Sequence, residues 1–396
     1  MPENAKAPTI RFTGFTGAWE PRRLGEIIQD YTEKTTVQNQ YPVLTSSQQR
    51  GIVFQEDYFA GRQTTTDENI GYFVLPKGYF TYRSRSDNNI FVFNRNDLID
   101  KGIISYFYPV FRLKDADSDF FFRRVNNGIQ RQITMAAEGT GQHVLSLKKF
   151  KGIVAMFPSV EEQVQIGKVF ANLDRRITLH QREHDKTVNI KKAMLEKMFP
   201  KNGADKPEIR FAGFTDAWEQ RSIEDCFTER NERSNIGSLI SVTISSGVMR
   251  AADLGRHDTS SHDKSNYKKV EVDDIAYNSM RMWQGASGYS PYSGILSPAY
   301  TVITPKGGIH SPFFAHLFKR PDIIHLFQIN SQGLTSDTWN LKWPSLRSIC
   351  INVPQIEEQK KISEFLLKID RLITLHQHEL GKLQTIKKAL LGKMFE

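Results

Sequence analysis

The sequence contains two copies of the same pair of segments, which we call the repeated frame. Pro8 to Glu20 reads PTIRFTGFTGAWE and Pro207 to Glu219 reads PEIRFAGFTDAWE, identical at 10 of 13 positions. A second pair of segments, Pro158 to Phe199 and Pro354 to Phe395, has 22 identities in 42 aligned positions. The two offsets, 199 and 196 residues, nearly agree. Duplication on this scale predicts one structural unit used twice.

Between the matched blocks lie two segments of nearly equal length that have diverged, Pro21 to Phe157 and Gln220 to Val353. They share only scattered features in a common order: a Gly-Ile-x-Ser that begins at Gly102 or Gly294, then a Phe-Phe pair, then a glycine. These features indicate one fold that carries a different surface in each copy.

The second matched block predicts a long helix in each copy. No proline occurs from Glu161 to Phe199 or from Glu357 to Glu396, and apolar residues recur at heptad spacing. The residues expected at the packing or partner interface are Ile166, Phe170, Leu173, Ile177 and His180 in the first helix and Ile362, Leu366, Ile369, Ile373 and His376 in the second. After Thr187 and Leu383 the phase of the stripe slips at Ile190 and Ile386, so the far third of each helix is expected to pack differently.

The ends of the predicted helices carry their own signals. Ser159 followed by Glu162 is a capping-box pattern, and Pro200 ends the first helix. A helix of about 38 residues is roughly 57 Å long at ~1.5 Å per residue, which would place two domains at opposite ends of a rod. Because the N-terminal segment resembles the linker after the first helix, we expect Met1 and Glu396 to lie near one another.

The predicted fold class is α+β with a pseudo-two-fold internal repeat. Two mixed α/β domains are joined by two long helices, which pack antiparallel as a coiled coil because neither apolar stripe is stable alone in water. The predicted boundaries are 1–157 for the first domain, 158–199 for the first helix, 200–206 for a linker, 207–353 for the second domain and 354–396 for the second helix.

Composition narrows the class of partner. Lys and Arg number 53 against 44 Asp and Glu, a formal net charge of +9, which favours a polyanion such as double-stranded DNA. No cationic leader or run of ~18 apolar residues occurs, so a soluble, cytoplasmic protein without membrane contact is expected. Cys226 and Cys350 lie far apart without a CxxC pattern, and both are expected to be buried thiols.

Two domains at a fixed separation suit duplex DNA, whose major groove recurs every ~34 Å. Because the two interiors differ, the target should be asymmetric and bipartite, with an unread spacer. Candidate DNA contacts are basic, polar and aromatic residues, ranked highest around Tyr82-Arg83 and Arg281 to Gln284. The candidates are Arg62, Gln63, Tyr82, Arg83, Arg85, Arg124, Gln142, Lys268, Arg281, Trp283, Gln284 and Thr335, with Arg50, Arg123, Arg131 and Lys264 in a wider set. Phe120 to Phe122 and Tyr106 to Tyr108 are expected to be strand core.

Motifs for catalysis are missing from the sequence. There is no GxxxxGK[ST], no Asn-Pro-Pro-aromatic tetrapeptide, no HExxH, no GxSxG and no glycine-rich dinucleotide turn. His180 and His184 have the spacing of a metal pair, but the second copy has His376 and Leu380 there, which favours a packing role. We therefore predict no catalytic and no metal-binding residue.

The order of these segments closely resembles the specificity subunit of type I restriction-modification enzymes over essentially the whole chain. The most specific signals are Pro158 with Glu161-Glu162-Gln163, the matching Pro354 with Glu357-Glu358-Gln359, and the helical stretches around Asp174 and Asp370. The resemblance implies that the variable segments are target recognition domains and that the helices are spacer regions.

The resemblance also implies the partners. Two methyltransferase subunits would bind the helices and use S-adenosylmethionine to methylate adenines, and motor-nuclease restriction subunits using ATP and Mg²⁺ would join for cleavage. This chain would direct both activities without catalysing either and without binding a cofactor. Two other interpretations remain open: a stand-alone DNA-binding regulator with duplicated domains, and a coiled-coil scaffold for two protein-binding domains.

Overall fold

The computed structural model describes residues 8–59, 68–201, 203–255, 260, 263–335 and 338–395. These residues form two compact units. Unit 1 comprises Met1–Gln181 and His378–Glu396, and unit 2 comprises Arg182–Gln377. Each unit therefore contains one variable segment, the first half of one long helix and the second half of the other. Met1 and Glu396, which are predicted to lie near one another, are outside the described residues. Within unit 1 the amide of Ile10 donates to the carbonyl of Lys393 at 3.3 Å.

Unit 1 combines short antiparallel strands with short helices. Its strands are β1 (Glu20–Arg23), β2 (Ile28–Tyr31), β3 (Leu44–Ser47), β4 (Gly51–Phe54), β5 (Phe73–Pro76), β6 (Phe80–Tyr82), β7 (Arg85–Ser86), β8 (Phe93–Arg95), β9 (Lys101–Ile104), β10 (Val110–Leu113), β11 (His143–Val144) and β12 (Val154–Phe157). Its helices are α1 (Leu24–Ile27), α2 (Gln55–Tyr58), α3 (Ser118–Asn127), α4 (Gln130–Ala136), α5 (Leu147–Gly152) and the first half of α6 (Val160–Lys197).

Unit 2 repeats this pattern. Its strands are β13 (Glu219–Ser222), β14 (Phe227–Glu229), β15 (Ile240–Thr243), β16 (Gly247–Arg250), β17 (Lys268–Val270), β18 (Ile275–Asn278), β19 (Ser287–Tyr289), β20 (Gly294–Leu296), β21 (Tyr300–Pro305) and β22 (Cys350–Val353). Its helices are α7 (Ile223–Cys226), α8 (Ser311–Leu317), α9 (Pro321–Ile329), α10 (Trp343–Leu346) and the first half of α11 (Ile356–Phe395), with 3-10 turns at Ala251–Leu254 and Met282–Gln284.

The two units have the same sheet topology. The four-stranded sheet has the order β2-β10-β6-β8 in unit 1 and β14-β21-β18-β19 in unit 2. The pairs β1-β12, β3-β4 and β5-β9 correspond to β13-β22, β15-β16 and β17-β20, and unit 1 adds the pair β7-β11. The predicted α+β class and internal duplication are confirmed at the level of strand order.

The shared Gly-Ile-x-Ser has a packing reason in both units. A Cβ at Gly102 would lie 2.3 Å from Cδ1 of Leu44, and one at Gly294 would lie 2.3 Å from the carbonyl oxygen of Ser238. The isoleucine after each glycine donates its amide to a backbone carbonyl of the same neighbouring segment, at 2.9 and 3.0 Å. A side chain at the glycine would separate these segments, so both copies keep the motif.

The Phe-Phe pair is core in both units, but it belongs to a helix and not to a strand as expected. In α3 the buried residues are 120, 121, 124 and 125, which is the spacing of one helical face. Asp117 caps this helix by accepting from the amide of Phe120 at 2.8 Å. Phe121 packs edge-on against Phe80 of the sheet, with ring centroids 5.3 Å apart. Tyr106, also expected in the core, is 62% exposed.

Within each unit the two long-helix segments run antiparallel. In unit 1 the ring of Phe170 lies 5.7 Å from that of Phe395, and the Asp174 carboxylate binds Lys387 at 2.6 Å. Unit 2 has the equivalent contact between Lys191 and Asp370 at 2.5 Å. The seam residues that are buried are Ile166, Phe170, Leu173, Ile362, Leu366 and Ile369, while Ile177, His180, Ile373 and His376 are half-buried.

The far third of each helix packs differently, as the phase slip predicts. Ile190 and Ile386 are exposed. The Met-Phe pair that follows them is buried in both copies, in the core of the unit that contains it. The Met-Phe pair at the end of each copy therefore belongs to a domain core, and in unit 1 Phe395 also contacts Phe170 of the seam.

The start of α6 corrects one sequence interpretation. The Ser159 hydroxyl accepts from the amide of Glu162 at 3.4 Å, as a cap should. The Glu162 carboxylate does not complete the capping box, because it binds the guanidinium of Arg11.

The two cysteines differ in exposure. Cys226 is buried as expected, but Cys350 is exposed at the start of β22, which corrects the expectation that both thiols are buried.

In the part of the chain that the structure describes, no helix combines the length and the apolar character that a membrane span requires.

Candidate nucleic-acid interface

In unit 1, two loops beyond the four-stranded sheet meet through the pairing of β7 with β11, where Arg85 lies opposite Val144. Arg83 and Gln142 are exposed on the same pair of loops. The Gln142 side chain donates to the carboxylate of Asp87 at 3.2 Å, which joins the loops further. The structure thus brings together three predicted contact residues, Arg83, Arg85 and Gln142.

Aromatic side chains lie next to these polar groups. The guanidinium of Arg85 lies 4.7 Å from the ring centroid of Phe107, a cation–π distance. Phe107 in turn contacts Tyr106, with ring centroids 4.3 Å apart. We define the first loop surface as Arg83, Arg85, Tyr106, Phe107 and Gln142. The sequence predicts a core position for both aromatic residues and so does not identify them as members of this surface.

Two predicted contact residues are instead structural. Tyr82 is fully buried, donates its hydroxyl to the carbonyl of Leu145 at 3.0 Å, and has a pKa raised by that burial. Arg124 is buried too, with its guanidinium over the ring of Trp19 and donating to the carbonyl of Phe395 at 2.8 Å. Burial lowers the pKa of Arg124 to about 10. Neither side chain is accessible to a base.

The remaining candidates of unit 1 are dispersed. Arg50 and Arg131 are exposed on other elements, and Arg123 forms an ion pair with Asp174 of α6. Arg62 and Gln63 lie outside the described residues.

In unit 2 the residues ranked first occupy a 3-10 turn that ends at Gly285, whose φ of 82° favours glycine. Arg281 is exposed and donates to the side-chain oxygen of Gln284 at 3.3 Å. The indole of Trp283 donates to the carbonyl of Met280 at 3.1 Å, which orients its ring.

A hairpin closed by the bridge between Gln332 and Asn340 packs beside this turn. It places Trp339 edge-on against Trp283, with ring centroids 5.2 Å apart. Thr335, also predicted, is exposed in the hairpin, and its amide donates to the Thr338 hydroxyl at 3.1 Å. We define the second loop surface as Arg281, Trp283, Gln284, Thr335 and Trp339.

The predicted lysines of unit 2 are placed differently. Lys268 lies in β17 with its ammonium 3.7 Å from the Glu229 carboxylate, and its side chain is mostly covered. Lys264 is half-buried. The second loop surface therefore owes its charge to Arg281.

The frame fixes both loop surfaces in the same way. In unit 1 the amide of Leu145 donates to the carbonyl of Ser84 at 2.9 Å, and in unit 2 the amide of Leu341 donates to the carbonyl of Ser279 at 2.8 Å. One backbone arrangement thus presents two sets of side chains that can donate and accept hydrogen bonds at base edges and stack on apolar groups. Among the described residues, no group of three His, Cys, Asp or Glu is placed to hold a metal ion.

Comparison with known proteins agrees with this duplication. The family model described as the type I restriction modification DNA specificity domain matches the chain twice, at residues 17–188 and 216–385. Together the two matches cover most of the sequence, and each spans one variable segment with most of the helix after it.

One solved structure shows a similar fold over nearly the whole chain. The crystal structure of the type I restriction-modification system S subunit from M. genitalium has a TM-score of 0.62 at 14% identity, over 99% of this chain and 99% of that one. The HsdS subunit from Thermoanaerobacter tengcongensis has a TM-score of 0.43 at 18% identity, over 95% of this chain and 96% of that one. The two family matches, each on one copy of the duplicated frame, show that this chain belongs to the type I restriction-modification DNA specificity family, with two target recognition domains.

Proposed function

We propose that this chain is the DNA-specificity subunit of a type I restriction-modification complex and catalyses no reaction itself. The observation that carries the proposal is the pair of loop surfaces, which occupy the same place on a duplicated frame but carry different side chains. Each surface would read one half of an asymmetric, bipartite DNA target. The long helices would set the length of the unread spacer.

The side chains of the loop surfaces suit direct readout in the major groove. A guanidinium such as that of Arg85 or Arg281 can donate two hydrogen bonds to O6 and N7 of guanine, and the amide of Gln142 or Gln284 can pair with N6 and N7 of adenine. A bidentate contact of this kind contributes ~1–3 kcal/mol of discrimination against a wrong base. The ring of Phe107 restricts the orientation of the Arg85 guanidinium, which would sharpen its choice of base.

The partners would be two methyltransferase subunits docked on the long helices. Leu179 and Leu375 occupy equivalent positions in the two copies and both are exposed on α6 and α11, which suits an apolar partner surface. The methyltransferase subunits would use S-adenosylmethionine to methylate adenines, and restriction subunits using ATP and Mg²⁺ would cleave unmodified DNA. This chain would bind none of these cofactors.

The test is to co-express the chain with an adenine methyltransferase subunit of a type I system that it captures in a pull-down, and to map methylated adenines genome-wide. We expect one asymmetric bipartite motif. Replacing residues 21–157 with the corresponding segment of another family member should change one half of that motif only. Inserting residues in α6 near Thr187 should change the spacer and leave both halves as they were.

Specific binding by the purified chain alone, at an affinity that methyltransferase subunits do not increase, would favour a stand-alone regulator and contradict the proposal. Methylation by the purified chain without a partner would contradict its non-catalytic role.

A further inference from the structure

Unit 2 contains a cleft of about 460 Å³ that no step of the proposed function uses. It lies where the second half of α6 meets the connection between α8 and α9. Its apolar wall is formed by Val188, Leu195 and Pro321. Five basic side chains also line it: Lys191, Lys192, Lys201, Lys319 and Arg320. We call this site the lysine cleft.

The basic side chains outnumber the carboxylates around them. Three ion pairs neutralise part of the charge: Lys201 with Glu196 at 2.9 Å, Arg320 with Asp322 at 2.8 Å and Lys191 with Asp370 at 2.5 Å. Five cations and three carboxylates leave two positive charges that are not neutralised by an ion pair. These are the charges of Lys192 and Lys319. Glu196, four residues after Lys192 on the same helix, attracts that lysine but is already paired with Lys201.

The environment of Lys319 shows that its charge is incompletely compensated. Burial lowers the pKa of this lysine, the positive charge of Lys191 lowers it further, and Asp370 opposes both effects. The ammonium donates to the neutral carbonyl of Ile244 at 3.2 Å. An anion in the cleft would stabilise the charged form of Lys319, since opposite charge nearby favours the ionised state.

The equivalent place in unit 1 is different. There the cleft is lined by Lys387 and Leu391, the counterparts of Lys191 and Leu195, and by several carboxamide side chains. Lys388, the counterpart of Lys192, is exposed on the same helix but does not line that cleft. The excess of lysines is therefore a property of unit 2 and not of the repeated frame.

We propose that the lysine cleft binds a phosphate group through Lys192 and Lys319. Ammonium groups are compact charges that bind phosphate oxygens, and a phosphate matches an excess of two positive charges. The phosphate could belong to the DNA backbone, in which case the inference rests on the proposed function, or to a free phosphate compound. The two sources share this chemistry, and the experiment separates them.

The experiment uses the purified full-length chain and two matched variants, Lys192→Gln and Lys388→Gln, whose folding is checked by thermal unfolding. The first arm measures binding of a fluorescent duplex of random sequence across a series of salt concentrations. The second arm measures binding of inorganic pyrophosphate by calorimetry. Both variants lose one positive charge at equivalent positions on a long helix, so they differ in the cleft and not in net charge.

If the cleft holds a DNA phosphate, Lys192→Gln should reduce the slope of log K against log salt by about 0.9, while Lys388→Gln should leave it nearer the wild-type value. If it holds a free phosphate compound, Lys192→Gln should weaken pyrophosphate binding by about tenfold or more, as expected for a hydrogen bond to a charged group, and Lys388→Gln should not. Equal behaviour of the two variants in both arms would overturn the inference.

The two proposals can fail separately. If the chain binds duplex DNA, the two substitutions change that binding equally, and pyrophosphate does not bind, then the cleft is not a phosphate site. The proposed function would be unaffected by this result. Pyrophosphate binding that requires Lys192 in a chain with no affinity for duplex DNA, alone or with methyltransferase subunits, would keep the cleft and contradict the proposed function.

Discussion

Arg11 donates two hydrogen bonds to the carboxylate of Glu162, from Nε to Oε1 at 2.8 Å and from Nη2 to Oε2 at 2.6 Å. The Glu162 side chain is 1% exposed and that of Arg11 is 13% exposed. The same pair recurs in unit 2, where Arg210 binds Glu358 at 2.8 and 2.7 Å. In both copies the repeated Ile-Arg-Phe segment is thus tied to the first turn of the long helix that follows the variable segment.

Removing the carboxylate of this pair should destabilise unit 1. Glu162→Ala leaves the mostly covered guanidinium of Arg11 without its partner. We expect a loss of about 2–3 kcal/mol in the free energy of unfolding, below the ~3–5 kcal/mol for fully buried pairs because Arg11 keeps some contact with water. Urea denaturation followed by tryptophan fluorescence measures this loss.

The neighbouring Glu161 provides the control. It is exposed in the same helical turn, where the backbone amide of Glu161 and the Ser159 hydroxyl lower the pKa of its carboxylate. Because these contacts are open to solvent, Glu161→Ala should destabilise the chain clearly less than Glu162→Ala. Similar losses for the two variants would mean that the ion pair with Arg11 contributes little.

Buried His316 should make unit 2 sensitive to acid. Burial lowers its pKa from 6.5 to about 4, helped by the charges of Lys191 and Lys319 and opposed by Asp370. Between those two pH values the unfolded chain binds a proton that the folded chain does not. The contribution of the neutral imidazole is therefore complete above pH 6.5 and is lost as the pH falls toward 4.

The slope can reach about 1.4 kcal/mol per pH unit, or about 3 kcal/mol over the whole window. Urea denaturation at several pH values should show that His316→Gln flattens this part of the profile. His325 is exposed on α9, so His325→Gln should leave the profile unchanged. A wild-type slope that persists in His316→Gln would assign the acid sensitivity to other groups.

The two cysteines should differ in reactivity. Burial raises the pKa of the Cys226 thiol to about 11, whereas Cys350 is exposed. Because the thiolate is the reactive form, an aromatic disulfide reagent at pH 8 should modify one thiol quickly in the native chain and the second only on unfolding. Cys350→Ser should abolish the fast phase, and Cys226→Ser should preserve it. A fast phase that survives Cys350→Ser would place Cys226 at the surface.

The frame was predictable from the sequence because its constraints are local. The apolar spacing around Ile166 and Phe170 identifies the helical seam, and the phase slip identifies where that seam ends. Arg124 could have been assigned to the core by the same reasoning, since it lies four residues after Phe120 on one helical face. The basic side chain alone predicts a surface contact, which the burial of Arg124 contradicts.

The loop surfaces were only partly predictable because their members are brought together by long-range pairing. Trp339 meets Trp283 through a hairpin more than fifty residues away in the chain, which no local pattern indicates. Tyr82 and Arg83 are adjacent in the sequence, yet one ends a central strand with every residue buried and the other begins the exposed loop. Charge and aromaticity in a sequence do not determine which side of such a boundary a residue occupies.

The two loop surfaces should affect separate halves of the DNA target. In the complex with methyltransferase subunits, Arg85→Ala should relax the choice of base at one position of one half-site, and Arg281→Ala should do so in the other half-site. We expect the preference for the correct base to fall by a factor of about 5 to 150, since a bidentate contact contributes ~1–3 kcal/mol. Mapping methylated adenines on a library with randomised half-sites measures the preference at each position.

Arg85→Lys separates base reading from attraction to phosphates. Lysine keeps the positive charge but lacks the rigid planar fork with which arginine donates to O6 and N7 of guanine at once. If Arg85 reads a base through this fork, Arg85→Lys should lose a measurable part of the discrimination that Arg85→Ala loses. If Arg85 contacts only the backbone, Arg85→Lys should behave like the wild type, and Arg85→Ala should weaken methylation equally at every sequence. Arg131→Ala, which removes an exposed charge outside the loop surface, should leave the recognised motif unchanged.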